Sequence, residues 1–301
     1  MRHIIKYINF TLSLSLGFMS TVLLGQKDVA ITPVKITEQI YMLKGQGGNI
    51  GLFVGDDGVF MIDDQFARLT PKILQAIRTI TDKPVTYVMN THWHGDHTGG
   101  NANMQQEGAL IISHENVRKR MSVESFRRGK KKPVSPKEAL PIITFSQDMM
   151  LHLNGDDILI SHVHNAHTDG DAHIYFTKSN VLHMGDTYFQ GKFPFIDLES
   201  GGSIDGYIAS LEKALRMSDD DTVIIPGHMN LSNKKELQLF STMLKTLRES
   251  IQKEINNGAS LEDVRNNKAI TKDYEKDYNW GFINDEKIRA TIYKSLQKVK
   301  S

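Results

Sequence analysis

The chain has 301 residues, 40% of them hydrophobic and 24% charged, and a formal net charge of +1. These proportions suit a soluble globular protein with a sizeable core, and they exclude a global field that would draw in nucleic acid or a membrane surface. The 12 histidines stand beside no cysteine, so disulfides and thiolate ligation are excluded and any metal must rest on imidazole and carboxylate.

Arg2, His3 and Lys6 precede the uncharged run "INFTLSLSLGFMSTVLLG", from Ile8 to Gly25. That pattern is expected of a secretory signal over residues 1–25, although Leu23 suits a small-residue cleavage site poorly. The alternative is a retained anchor at the short end for a membrane span. Cleavage leaves one domain, residues 26–301, exported to the periplasm or secreted, with no stable membrane span.

"ITEQIYMLKG", "NIGLFVG" and "GVFMIDD" read as strands, with the turn Gly55–Gly58 between the last two. "TPKILQAIRTITD" reads as a helix capped by Thr70, with Pro71 in its first turn and Ile73, Leu74, Ile77 and Ile80 as its apolar stripe. "PVTYVMNT" and "ALIIS" are further strands, and "HENVRKRM" is a short helix. Residues 123–142 read as a loop. "MMLHLNGDDILISHV" turns at Asn154–Gly155, and "DAHIYFTKSNVLHMGD" is a second hairpin. A helix over 203–217 leads to the strand "TVIIPGH". Residues 232–301 form a helical C-terminal extension, with Phe240, Met243, Leu244, Leu247, Ile251 and Ile255 at helical spacing and Gly258 as a stop. The two halves share one grammar, which predicts two sheets face to face with helices outside.

"NTHWHGDHTGGN" places His92, His94, Asp96 and His97 within six residues at a strand end. In extended backbone the first three share a face. His97 has the opposite parity and joins them only if the chain turns, which Gly95, Gly99 and Gly100 permit. Such a turn divides the donors into two pairs around two centres. A lone histidine here would be an ordinary loop residue; four potential ligands together favour metal. Since zinc takes four ligands, the remainder must come from other strand ends. The candidates are His164 and His167 in "VHNAHTDGD", Asp186 in "VLHMGDTYF" and His228 in "VIIPGHMN".

Together these four motifs resemble the metallo-β-lactamase superfamily, whose signature is His-x-His-x-Asp-His followed by a distant His, Asp and His. The resemblance implies an α/β fold, the four-layer αββα sandwich. It implies two Zn2+ ions per chain, one held by His92, His94 and His167, the other by Asp96, His97 and His228, with Asp186 bridging. It further implies a hydrolase in which a hydroxide attacks a carbonyl and Asp96 is the catalytic base. The expected substrate is a small molecule with an amide or ester bond, best a cyclic β-lactam or lactone, with thioesters next. Asp186 stands where some β-lactamases carry Cys, and Phe189 replaces their Lys, so that carboxylate anchor is missing unless Lys192 folds back. The rival on the same fold is a mononuclear iron oxygenase of the persulfide dioxygenase type, in which His97 and His228 need not bind metal.

Asp63, at the end of "VFMID", is either a partner to a ligand imidazole or a strand-end cap. His164 is expected to line the site, and Tyr188, Phe189, Trp280 and Phe282 are candidates for a substrate groove. Trp93 either contacts substrate or packs. His114, His152, His162, His173 and His183 fall outside the signature and read as sheet-face or loop residues. Residues 118–132 hold eight basic residues and one acidic, either a solvated flap or a contact for an anion. An exported protein is not expected to meet nucleic acid.

Overall fold

Short apolar runs that bury both faces build two sheets. The computed structural model describes residues 29–127 and 129–298; the expected signal lies outside the described residues. The described residues begin with β1 (Thr32–Lys35), β2 (Ile40–Lys44), β3 (Ile50–Gly55) and β4 (Gly58–Ile62), an antiparallel series. Helix α1 (Thr70–Arg78) then crosses to β5 (Val85–Asn90), which runs parallel to β4. A single turn, α2 (Gly95–Thr98), and α3 (Asn101–Gln106) lead to β6 (Leu110–His114) and α4 (Glu115–Met121). A two-stranded hairpin, β7 (Ser125–Arg127) and β8 (Lys130–Lys132), stands apart, and β9 (Ile143–Phe145) closes the first sheet in the order β1-β2-β3-β4-β5-β6-β9.

The second sheet has the order of its sequence. Its strands are β10 (Asp148–Leu153), β11 (Asp156–His162), β12 (Ala172–Phe176), β13 (Val181–Phe189), β14 (Val223–His228) and β15 (Ser232–Asn233). Helix α5 (Ile204–Met217) joins β13 to β14, which are parallel. The described residues end in α6 (Lys234–Asn256), α7 (Leu261–Asn266), α8 (Glu275–Tyr278) and α9 (Asp285–Lys298). Among the described residues no helix is long and apolar enough to cross a membrane.

Strand periodicity accounts for the layers. Phe53, Phe60, Ile62, Met89 and Ile112 of the first sheet face Ile158, Ile160, Ile174, Phe176 and Ile225 of the second. Their neighbours Leu52, Met61, Val88 and Ile111 point the other way, onto Ile73 and Ile77 of α1. Leu182, Met184 and Ile224 likewise face α5, α6 and α9. Strands buried on both faces carry the near-continuous apolar sequence observed, and the result is the expected αββα sandwich.

Two local expectations need correction. Thr70 does not cap α1: it is the first residue of the helix, and its hydroxyl accepts from the Asn103 amide at 3.1 Å. Residues 123–142 are not wholly irregular, since β7 and β8 pair within them and a 3-10 turn covers Lys137–Ala139. The alternation there is too short and too basic to signal strands.

Phe176 is fully buried between the sheets and packs edge-on against Phe53 at 5.0 Å and Phe60 at 6.3 Å. Phe176→Ala is expected to lower unfolding free energy by about 3–5 kcal/mol. Chemical denaturation checks this, and a loss below about 1 kcal/mol would show that the seam is not tightly packed.

Candidate metal centre

Strand β5 stops at Asn90, and the chain leaves the sheet through residues 91–94 before turning as α2. The amides of His97 and Thr98 both donate to the His94 carbonyl at 3.0 Å. The backbone is therefore not extended through Asp96, and strand parity does not put Asp96 beside His92 and His94. The helical turn instead carries Asp96 and His97 to a second group. The glycines act differently from expectation: Gly99 and Gly100 have ordinary φ of −66° and −83°. Gly99 is required by close approach, because a Cβ there would lie 2.5 Å from the Gly95 carbonyl oxygen and 2.7 Å from that of Gln65.

Four other chain segments meet this turn. After β4, Asp63 and Gln65 adopt left-handed φ of 61° and 55°, a strained arrangement for non-glycine residues. It is held by Asp63 N–H donating to Met89 and Asp64 N–H donating to His97, both at 2.9 Å. In β13 the register slips on either side of Gly185, where φ is 54°, and this bulge aims Asp186 out of the ladder. His228 ends β14, and His167 lies in the loop between β11 and β12. Residues 63–65, His167 and His228 come from strand ends or short loops, where a rigid sheet can hold side chains; Asp186, expected at a strand end, lies instead inside β13, which continues to Phe189.

The donors form two groups. One is His92, His94, His167 and Asp186; the other is Asp96, His97 and His228, each with its ligand atoms within 4.8 Å of one another. Asp186 faces both: Oδ2 lies 3.8 Å from His92 Nε2 and 3.5 Å from His167 Nε2, while Oδ1 lies 3.1 Å from His97 Nε2 and 3.3 Å from His228 Nε2.

Each ring in the interior is oriented by its other nitrogen. His97 Nδ1–H donates to Asp63 Oδ2 at 2.7 Å. His92 Nδ1 meets the Thr91 hydroxyl at 3.0 Å, and that hydroxyl donates to the same Asp63 oxygen at 2.8 Å. His94 Nε2–H donates to Asp197 at 2.8 Å, and His167 Nδ1–H to the Phe195 carbonyl at 2.6 Å. These bonds assign the tautomers.

The same network shows that cations fit. His94 Nδ1 and His167 Nε2 then turn lone pairs toward each other 2.9 Å apart, which is favourable only with a proton or cation between them. His92 Nε2, His97 Nε2 and Asp186 Oδ1 are buried without a hydrogen-bond partner. Buried polar atoms are normally paired, and a nitrogen–carboxylate donor set without sulfur suits zinc and similar divalent ions.

Electrostatics agree. Burial holds His92 well below its ordinary pKa, with His97 adding to the effect. Burial would raise Asp186, but His97 and His228 outweigh it and keep the carboxyl well below the usual range. Asp96 is lowered in the same way: burial opposes, and His97 and His228 prevail. Burial would lower His228, yet Asp186 and Asp96 push it up to about 9. His97 is raised well above its ordinary value against burial, chiefly by Asp186 and Asp63.

Other expected residues fall elsewhere. Trp93 packs with Val117, Met121 and Ala139, with the Lys132 ammonium 3.8 Å above its ring, so it faces the core and not substrate. His164 is exposed beside His162 and Lys213 in a separate depression. Tyr188 is buried and bonds Ser232, away from the cavity. Lys192 does not fold back; its ammonium donates to the Asp277 carbonyl at 2.8 Å. His114, His152, His162, His173 and His183 join neither donor group. In the basic segment, Arg120 pairs with Asp169 at 2.6 Å and Lys131 with Glu124 at 2.8 Å. Thr91, Asp197 and Phe195 were not anticipated. Asp197 lies 103 positions from His94, and no spacing links the two.

The donors open into a cavity of about 370 Å³ whose far side is Phe189, Phe195, Trp280 and Phe282. A cavity of about 380 Å³ adjoins it across Phe195 and Phe282 and contains none of the seven donors. The volume is of the order used by small-molecule sites.

The four-layer sandwich and the donor set at its edge define a class. The chain belongs to the metallo-beta-lactamase superfamily, whose model matches residues 43–228. A hydroxyacylglutathione hydrolase from Polaromonas sp. is 28% identical over 158 residues, covering 52% of each chain. The 2,4-dinitroanisole O-demethylase subunit alpha from Nocardioides sp. is 26% identical over 190 residues, covering 61% of this chain and 53% of that protein. The chain thus spans about half the length of these curated relatives. Among solved structures, the metallo-beta-lactamase from Pontibacter korlensis is similar with TM-score 0.61 and 17% identity, covering 71% of this chain and 99% of that one. A sec-alkylsulfatase from Pseudomonas sp. gives TM-score 0.62 and 14% identity, covering 88% and 50%. At such identities the two structures attest the fold.

Two outcomes are expected. Asp63→Asn weakens zinc affinity by roughly tenfold to a hundredfold while the chain stays folded, since one carboxylate orients His97 directly and His92 through Thr91; unchanged affinity by competition with a chelator would contradict this. Second, a cation must displace the protons that Asp186 and Asp96 hold on His228. Zinc affinity therefore rises with pH up to about 9, where that ring loses its proton unaided. Proton release in weakly buffered titrations near neutral pH measures it, and pH-independent binding without release would count against it.

Proposed function

We propose that the protein is an exported metal-dependent hydrolase that carries two zinc ions and opens an amide or ester bond of a small molecule. Cyclic lactams or lactones and thioesters are the leading substrates. The observation that carries this reading is Asp186, whose two oxygens each face a different pair of imidazoles in the interior. Residues 1–25 support export by their pattern alone. The hydroxyacylglutathione hydrolase similarity supports a hydrolytic reading of the shared segment.

His92, His94, His167 and Asp186 would hold one ion; Asp96, His97, His228 and the shared Asp186 would hold the other. Such ions supply Lewis acidity and make water a usable nucleophile near neutral pH. The protein does the rest. Asp96 lies at the cavity wall with its carboxyl held ionised by His97 and His228, so its free oxygen can orient a water and take its proton. Asp63 and Asp197 fix the rings on opposite sides, so the donors need no rearrangement during turnover. The aromatic side of the cavity limits bulk water around the reacting bond.

The test couples metal counting with hydrolysis of lactam, lactone and thioester panels. About two zincs per chain with turnover in one panel supports the reading; one iron, with oxygen consumption and no hydrolysis, overturns it. His97→Ala is expected to lose one metal and most turnover yet remain folded. Full metal content and normal rates in that variant would contradict the dinuclear assignment.

A further inference from the structure

Aromatic rings form a continuous arc over the donors. Phe189 stacks on His228 at 5.2 Å with an interplanar angle of 8°. Trp280 follows Phe189 at 5.8 Å, Phe282 follows Trp280 at 5.6 Å, and Phe195 follows Phe282 at 5.3 Å. Phe195 then reaches His94 at 6.0 Å and His167 at 5.5 Å. One end of the arc thus rests on a donor of one group and the other end on donors of the second. Trp280 and Phe282 lie outside residues 43–228, the part shared with the superfamily model.

The arc is held from behind. The Trp280 indole N–H donates to the Phe193 carbonyl at 2.9 Å, and its amide to Ile283 at 3.1 Å. Phe193 N–H donates to Tyr278 at 2.9 Å, and Lys192 adds its bond to Asp277. Asp285 N–H donates to the Asn279 side chain at 2.6 Å. Residues 277–285 are therefore fastened to the loop after β13, the strand that presents Asp186. If these rings merely packed the C-terminal helices, they would be covered. Phe282 is instead 37% exposed, and it lines the cavity with Trp280. An exposed aromatic on a braced segment is a preorganised surface for a ligand.

We propose that this arc is the recognition wall of the site, and that the substrate carries an aromatic or extended apolar group that stacks on Trp280 and Phe282 while its scissile bond lies over Asp186. The proposal rests on the hydrolytic reading above and narrows its substrate class. It makes the C-terminal extension a specificity element. Small polar acyl groups that leave the wall bare should be turned over with a higher KM and a similar kcat, because the wall contacts lie away from the reacting bond.

Fluorescence tests it without turnover. The chain has two tryptophans, and Trp93 is packed in the core, so in a zinc-loaded Trp93→Phe variant the emission reports on Trp280. Naphthylacetamide is expected to change that emission saturably, and acetamide is not. By calorimetry, Phe282→Ala should weaken naphthylacetamide binding by about threefold to tenfold, the scale of one lost aromatic contact. Trp280→Phe, which keeps a ring, should weaken it less. No saturable response, or affinity unchanged in Phe282→Ala at full zinc content, overturns the proposal. Failure of hydrolysis has a separate signature: naphthylacetamide binding with no turnover of any ester, thioester or amide would support the wall and overturn the hydrolase.

Discussion

One carboxylate facing four imidazoles sets the terms for the rest of this molecule. Asp186 is buried, and a buried carboxylate is costly unless it is paired. Its neighbours His92, His97 and His167 are buried too, and their facing nitrogens lack the geometry to satisfy it by hydrogen bonds alone. A site that holds lone pairs toward one another at 2.9 Å in the interior is built for positive charge. Protons can supply some of that charge, which is why His228 and His97 titrate high; under the proposed function, two divalent ions would satisfy the whole donor set at once.

The fold serves that constraint by bringing strand termini together from two sheets. Asn49 ties them beside the site: its amide N–H donates to Gly227 at 2.7 Å and its side chain to Pro226 at 2.9 Å. Asp63 performs the corresponding task within the first sheet, taking Thr91 N–H at 2.8 Å, the Thr91 hydroxyl and His97. Its left-handed backbone is strain located where function needs a carboxylate at one particular place. The two sheets therefore do not merely surround the donors; each donor group takes residues from both sheets, so their relative placement assembles each group.

Much of this was legible in the sequence. Short apolar runs and the shared grammar of the two halves predicted both sheets, while which neighbour serves which layer, as with Met61 and Ile62, emerged only from the packing. The donors were legible because most sit where an apolar strand gives way to a turn; Asp186 is the exception, since β13 continues past it to Phe189. What escaped was set by tertiary packing. The turn that splits the donors into two groups was anticipated, but it is a helical turn from Gly95 to Thr98, so Asp96 does not share a strand face with His92 and His94 and no unusual glycine φ is needed at Gly99. Asp197 and Phe195 support His94 and His167 from a loop whose sequence carries no periodic signal. Lys192 and Tyr188 neighbour the motif yet are engaged elsewhere, Lys192 by the Asp277 carbonyl and Tyr188 by Ser232, partners that lie far along the chain. The aromatic arc depends on residues 91 positions apart, Phe189 and Trp280.

The central claim is that Asp186 stands between two metal ions. Anomalous diffraction at the zinc edge from crystals of the zinc-loaded full chain tests it directly. The account predicts two peaks roughly 3.5–4 Å apart, one beside His92, His94 and His167 and one beside Asp96, His97 and His228, with the Asp186 carboxylate between them. A single peak at full zinc loading, or two peaks with Asp186 turned away from both, would contradict it.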